Sequence, residues 1–245
     1  MTRPIVLITG ASRGIGAAAA RLFAANGFDV ALNYQASEDA AAAVAETVTR
    51  AGARALLVAA DVASPDDVAR MFERVDGELG TLDVLVNNAG ITGPRCRIDE
   101  LSHADLERVL AINVTGSVLC AQQAIKRMST RHGGQGGAII NISSGSAYIG
   151  NAGRGVHYAI SKGALNSFNI GASQELVAEG IRVNAVSPGM TATDMTSDTA
   201  PGTFANLPMG RAAQPEEIAE AILWLALDKA SYVAGANIRV GGGRP

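Results

Sequence analysis

The sequence predicts an α/β fold built on an open parallel sheet with helices on both faces. Three observations carry this. Short apolar runs alternate with longer helical patterns, as in consecutive β-α-β units. Those runs are continuous rather than alternating, as expected of strands covered on both faces. A glycine-rich turn, "TGASRGIG" at 9–16, ends the first run and opens the first helix.

Taken in order, "PIVLITG" (4–10) reads as the first strand, followed by a helix from about Gly14 to Asn26. "FDVALNY" (28–34) is the second strand. The helix after it takes Ser37 as its N-cap and carries Glu38 and Asp39 in its first turn, where the dipole favours acids. "RALLVAADV" (54–62) is the third strand; the next helix starts with Ser64 as cap and Pro65 at its first position. "LDVLVNNAG" (82–90) is the fourth strand, followed by helical stretches at 102–113 and 115–131. "GAIINIS" (137–143) is the fifth strand, a long helix covers 157–179, and "IRVNAVSPG" (181–189) is the sixth strand. "QPEEIAEAILWLAL" is the last helix and "GANIRV" the last strand. Two stretches show no regular pattern, 91–101 and 190–213, the latter with Pro201, Gly202 and Pro208. Both follow strand C-termini, where open α/β sheets bind ligands.

The composition fits one globular domain over 1–245, with 48% hydrophobic and 18% charged residues and no compositional break. A net charge of -3 without a basic stripe argues against a nucleic-acid partner. No apolar run reaches the roughly 20 residues of a membrane span. The N-terminus runs straight into the first strand without the regions of a signal peptide, which predicts a cytoplasmic protein. Cys96 and Cys120 have no partner at metal-ligand spacing, so reduced thiols and no metal are expected. His103 and His132 read as surface residues.

The glycine loop supplies the first chemistry. Gly10 permits a tight turn, Gly14 lets a ligand approach the backbone, and Gly16 lets the helix pack on the strand. With Ser12, Arg13 and Ile15 they form a cradle whose helix N-terminus faces a pyrophosphate. The second strand ends Asn33-Tyr34-Gln35, with no acid before Glu38 to hold a free ribose 2′-hydroxyl. Arg13 can instead pair with a 2′-phosphate, and both features favour NADP(H) over NAD(H). Asp61, followed by Val62, ends the third strand where an adenine amino group would be accepted. Asn88, Ala89 and Gly90 leave room for a flat ring or ribose.

Tyr158 and Lys162 are four residues apart and share one helix face. A cation within about 4–6 Å lowers a tyrosine pKa by about 1–3 units, suiting the phenol to proton transfer with a carbonyl or alcohol oxygen. A serine hydroxyl on a neighbouring loop would hold the same oxygen; Ser143, Ser144 and Ser146 are the candidates.

Six motifs in order, "TGASRGIG", "NNAG", "INVTG", "NISS", "YAISK" and "VNAVSPG", span the chain. With them the chain resembles the single-domain branch of the short-chain dehydrogenase/reductase family. The resemblance implies a Rossmann-like, doubly wound, seven-stranded sheet in the order 3-2-1-4-5-6-7 and a homotetramer, with a homodimer as the smaller option. It implies Tyr158 as acid-base and Lys162 as the residue that holds the nicotinamide ribose and lowers the tyrosine pKa. It implies that Asn113 positions a water relaying protons through Lys162. Pro188, Gly189, Thr191 and Thr193 would cradle the carboxamide and phosphates. Counted back from Tyr158 at the family's usual spacing, the active serine falls on Gly145, which has no hydroxyl. "NISS" on the fifth strand assigns it to Ser144, with one extra residue in the loop that follows and Ser146 as fallback and substrate contact. "VGGG" near the C-terminus also departs from the family, which often has an acid at position 241.

The expected function is NADP(H)-dependent hydride transfer to or from a small-molecule substrate. The substrate loop (190–213) carries few charges, Asp194, Asp198 and Arg211, which predicts a neutral substrate. Tyr148, Met190, Met195, Phe204 and Leu207 are candidate apolar walls. A 3-oxoacyl group on acyl carrier protein is the alternative. It is weakened because 164–180 has Glu175 and Glu179 but no Lys or Arg, although Lys126, Arg127 and Arg131 lie on another helix. A non-catalytic NADP(H) sensor or scaffold is the rival of another class, disfavoured because serine, tyrosine and lysine are all retained. A nucleotide-sugar epimerase would have another glycine spacing and a longer substrate domain. Small residues along 157–179, among them Ala159, Gly163, Ala164 and Gly171, suit a subunit interface or packing on the sheet.

Overall fold

The computed structural model describes residues 3–197 and 202–244. Strands β1 (Ile5–Ile8), β2 (Asp29–Tyr34), β3 (Ala55–Ala59), β4 (Val84–Asn87), β5 (Gly137–Ile142), β6 (Ile181–Pro188) and β7 (Asn237–Val240) form one parallel sheet. Its order is β3-β2-β1-β4-β5-β6-β7. The helices are α1 (Gly14–Ala25), α2 (Glu38–Arg50), α3 (Pro65–Glu78), α4 (His103–Leu110), α5 (Gly116–Met128), α6 (Ser146–Ile149), α7 (Val156–Leu176) and α8 (Pro215–Ala226). The chain reverses its direction of travel across the sheet between β1 and β4, the point where such sheets open a crevice for a ligand.

Each strand sends alternate side chains to opposite faces, so continuous apolar runs build two cores. Val6 and Ile8 of β1 pack with Phe23 of α1, Val44 of α2 and Ile222 of α8. Ile5 and Leu7 face the other way, onto Met71 and Phe72 of α3, Cys120 of α5 and Leu176 of α7. In the first core the Phe23 and Phe28 rings meet edge to face, with centroids 4.9 Å apart at 86°. Register aligns the strand ends: Ile8 pairs with Val86, and Asn87 with Asn141. The turns after β1, β4 and β5 therefore open side by side.

Three local expectations are corrected. Ser37 makes no side-chain cap to α2, so that helix relies on its acids and on packing; Ser64 does cap α3, accepting from the Asp67 amide. The two helical stretches at 102–113 and 115–131 are one path, α4 passing through a π-helical turn (Ala111–Thr115) into α5. The loop after β5 contains the single helical turn α6, closed by Gly150 in the left-handed region. Within 190–213, short 3-10 turns form at Asp194–Thr196 and Phe204–Asn206. Asp198 and Pro201 lie outside the described residues.

Phe23 is fully buried, so Phe23→Ala is expected to lose about 3–5 kcal/mol of stability. Denaturant unfolding would show this as a lower midpoint at unchanged slope.

Candidate active site

The turn after β1 is held by side chains of β2 and β4. Thr9 Oγ1 accepts from the backbone amides of Asn88 (2.9 Å) and Ala89 (3.0 Å). Asn88 Nδ2 donates back to the carbonyls of Thr9 (2.8 Å) and Gly10 (3.0 Å). Asn33 Oδ1 accepts from the Gly10 amide at 3.2 Å, and its Nδ2 donates to the carbonyl of Ala60 at 3.0 Å. The loop leaves no room for side chains where it turns. A Cβ on Gly16 would lie 2.4 Å from the Gly10 carbonyl oxygen and 2.6 Å from Asn88 Nδ2. Gly10 and Gly14 have φ of 63° and 54°, the left-handed region that glycine adopts freely.

Asn33 and Asn88, expected to hold cofactor, thus spend their amides inside the protein. Asn33 is buried, and so are Tyr34 and Val62, whose side chains join the cores rather than an open groove. Asp61 is occupied as well: Oδ1 accepts from the Ala63 amide (2.9 Å) and Oδ2 from Gln35 Nε2 (3.0 Å). Arg13 is exposed, and its guanidinium lies 3.7 Å from Asp194. Ser12 and Ile15 stand at the start of α1, half-buried.

One cleft of about 520 Å³ opens where these turns meet. Of the residues expected to hold cofactor, Ile15, Asn88, Gly90, Pro188, Gly189, Thr191 and Thr193 line it, together with Ser144, Ser146, Tyr158, Lys162, Met190 and Met195. Tyr148, Phe204 and Leu207, named as candidate walls, are not in its lining. Tyr148 instead carries the guanidinium of Arg239 4.8 Å from its ring centroid.

Lys162 is buried and donates from Nζ to the Ile142 carbonyl at 2.7 Å. Its ammonium stands 5.7 Å from the Tyr158 ring centroid. Burial lowers the Lys162 pKa to about 8. Burial also raises the Tyr158 pKa, and the Ser144 hydroxyl, placed to hydrogen-bond the phenol, partly offsets this. For the protein alone the Tyr158 phenol is thus held above its ordinary range, not below it as expected from Lys162, and taking the phenolate out of water is the main cause. Ser143 points away, with Oγ bonded to the Lys162 carbonyl (3.1 Å) and Asn166 Oδ1 (2.7 Å). Ser144 Oγ also accepts from the Ser146 amide at 3.1 Å.

Asn113 sits on the π-helical turn, a departure from α-geometry that tends to mark functional positions. Its amide brackets Ile91, accepting from the Ile91 amide at 2.8 Å and donating to its carbonyl at 2.9 Å. A Cβ on Gly90 would lie 3.2 Å from Asn113 Oδ1 and 3.5 Å from Lys162 Nζ, so glycine keeps a small polar space open between them. This space, the tight Gly16 turn and the start of α1 fit the nicotinamide and pyrophosphate ends of a dinucleotide. Among the described residues no cluster of His, Cys, Asp or Glu could hold a metal ion, and no helix is long and apolar enough to cross a membrane.

Several lining residues escape sequence reasoning. Thr92, Gly93, Ile149, Asn151 and four arginines, Arg95, Arg154, Arg239 and Arg244, complete the cleft. His157, buried beside Tyr158, bonds through Nε2 to the Thr92 carbonyl at 2.9 Å. Thr9 has a readable signal, as the first residue of the glycine motif; the arginines have none, lying on three separate segments.

A family model described as enoyl-(acyl carrier protein) reductase matches residues 10–244. The chain is 46% identical over 245 residues to an uncharacterized oxidoreductase, YgfF, of Escherichia coli strain K12, covering 98% of this chain and 99% of that one. It is 42% identical to a cis-4-hydroxycyclohexanecarboxylate dehydrogenase of Sinomonas cyclohexanicum, covering 98% and 95%. A short-chain dehydrogenase from Burkholderia cenocepacia J2315, solved in complex with NADP, superposes with a TM-score of 0.89 at 33% identity, covering 99% of this chain and 97% of that one.

The cost of burying Lys162 gives a test that does not depend on turnover. Its folded-state pKa of about 8 lies below the ordinary lysine value of 10.5. Between these values the unfolded chain holds a proton that the folded one has released, so stability rises with pH across the window. Relative to Lys162→Met, the wild type is expected to gain about 3 kcal/mol on going from below pH 8 to above 10.5. Denaturant titrations at a series of pH values check this; a constant difference would mean that the ammonium is not depressed.

Proposed function

The chain belongs to the short-chain dehydrogenase/reductase family, oxidoreductases acting on CH–OH groups with NAD(P), and from that premise we propose that it exchanges a hydride between NADP(H) and the carbonyl or secondary alcohol of a small molecule. The observation that carries the reading is the placement of the Ser144 hydroxyl against the Tyr158 phenol, beside the buried Lys162 ammonium, in a cleft of about 520 Å³.

When bound, the nicotinamide supplies the hydride in reduction and accepts it in oxidation. In reduction, Ser144 holds the carbonyl oxygen and Tyr158 gives it a proton while the carbonyl carbon takes the hydride, leaving an alcohol. The upward shift of the Tyr158 pKa keeps that proton in place before the reaction. The Lys162 charge opposes the build-up of negative charge as the phenol gives it up. Lys162 also holds the ribose, and the space between Asn113 and Lys162 suits a water that returns the proton. Oxidation runs the same transfers backwards.

NADP(H) is favoured because β2 ends in Tyr34 and Gln35 rather than an acid, and because Arg13 is exposed beside the glycine loop. The Burkholderia relative was solved with NADP. A second reading, a 3-oxoacyl-acyl-carrier-protein reductase, draws support from the description of the matched family. A homotetramer is the proposed assembly. The exposed apolar Ile160, Ile170 and Val177 of α7 and its 3-10 extension support it, together with the open space over Gly163 and Gly171. Sedimentation equilibrium tests the assembly.

Tyr158→Phe is expected to abolish turnover, by at least about 10³-fold, while NADPH still binds, as followed by fluorescence titration. Ser144→Ala is expected to cost about 10²-fold and far more than Ser146→Ala, in steady-state assays of NADPH absorbance across diketones, quinones, sugars and 3-oxoacyl thioesters. The reverse order would move the oxygen-holding role to Ser146. Arg13→Ala is expected to weaken NADPH about 10–100-fold and NADH little. Equal losses would remove the argument for NADP(H).

A further inference from the structure

The rim of the cleft carries charge that hydride transfer does not use: four exposed arginines. Arg95, Arg154, Arg239 and Arg244 line it, and no Asp or Glu stands among the described lining residues. Among those residues, none of the four arginines has an ion-pair partner.

The arginines belong to the substrate end rather than to the phosphate cradle. Arg95 lies two residues past Gly93, where a Cβ would fall 2.7 Å from His157 Nε2, next to Tyr158. Arg154 lies between α6 and α7, in the loop joining Ser144 to Tyr158. Arg239 lies over the Tyr148 ring of α6 and donates to the Arg244 carbonyl at 3.2 Å, which ties the chain after β7 to the same wall. The phosphates have their own cradle at the start of α1, where a Cβ on Gly14 would meet the Thr193 methyl at 3.2 Å.

Like charges gathered at one cleft repel one another, and an anion placed among them relieves that repulsion. Guanidinium groups are always charged and present paired N–H donors that match a carboxylate or phosphate. Ile149, Met190 and Met195 supply apolar wall beside them for a carbon skeleton.

We propose that the substrate is an anion: a small oxo or hydroxy compound whose carboxylate or phosphate is held by these arginines while its reacting carbon faces Ser144 and Tyr158. The proposal rests on the hydride-transfer reading and replaces the neutral substrate expected from the loop at 190–213 alone.

Binding is measured by calorimetry on Tyr158→Phe saturated with NADP⁺, so that no turnover is needed. The probes are 4-oxocyclohexanecarboxylate against its methyl ester, and dihydroxyacetone phosphate against dihydroxyacetone. At least one anion is expected to bind about 10–100-fold more tightly than its uncharged partner, and the better pair tells carboxylate from phosphate. Adding Arg95→Gln and Arg154→Gln together, or Arg239→Gln alone, is expected to remove most of that preference, with circular dichroism confirming the fold. The proposal falls if neither anion is preferred, or if folded arginine variants keep the preference. Wild-type assays with the same probes and NADPH separate the two readings: preference without reduction of any probe counts against hydride transfer, whereas reduction without preference counts against the anion.

Discussion

The site depends on the hydrogen bonds that join the end of β4 to the turn after β1. Four bonds cross that gap: the Thr9 hydroxyl accepts from the amides of Asn88 and Ala89, and the Asn88 side chain donates to the carbonyls of Thr9 and Gly10. They hold the glycine turn at the height where β4 and β5 also end. A dinucleotide can lie across the crevice only if these three turns keep their relative positions. This explains why Gly16 tolerates no side chain: the space a Cβ would fill already contains the two partners that set the height of the loop.

The catalytic end is built on a cost. Lys162 is an ammonium kept almost wholly from water, with the Ile142 carbonyl as its protein partner. Ser143 and Asn166 anchor the same stretch of α7, Ser143 by donating its hydroxyl to the Lys162 carbonyl and Asn166 by accepting from Asn237 Nδ2 at 2.8 Å. The helix is thereby stitched to β5 and β7, and Tyr158, one turn earlier, inherits a fixed position. Ser144, Tyr158 and Lys162 keep fixed relative positions because the backbone beneath them has little freedom.

Much of this was legible in the sequence. All seven strands and the long helices follow from apolar periodicity and capping, and the motifs order the strands correctly through the family resemblance. The losses have identifiable causes. The turn α6 is too short to show a helical period. The π-turn at Ala111–Thr115 carries a pattern that continues its neighbours. Asn33 is expected at the cofactor from its place at the end of the second strand, yet its buried amide is used to satisfy backbone groups of the neighbouring turns. The arginines at 95, 154 and the pair 239 and 244 meet only through topology, so the charge of the cleft could not be read from any single segment.

The loop between Ser144 and Tyr158 closes largely on itself. Gly150 bonds back to Ser146, Arg154 to Asn151, and Tyr158 to Gly155, while Asn151 alone among the described non-glycine residues takes a positive φ, of 54°. These local turns lie between the end of the fifth strand and the start of the long helix. For protein engineering, this makes 146–155 an exchangeable cassette. Its length and side chains can be varied to reshape the wall of the cleft, while the serine, tyrosine and lysine stay pinned to β5 and α7.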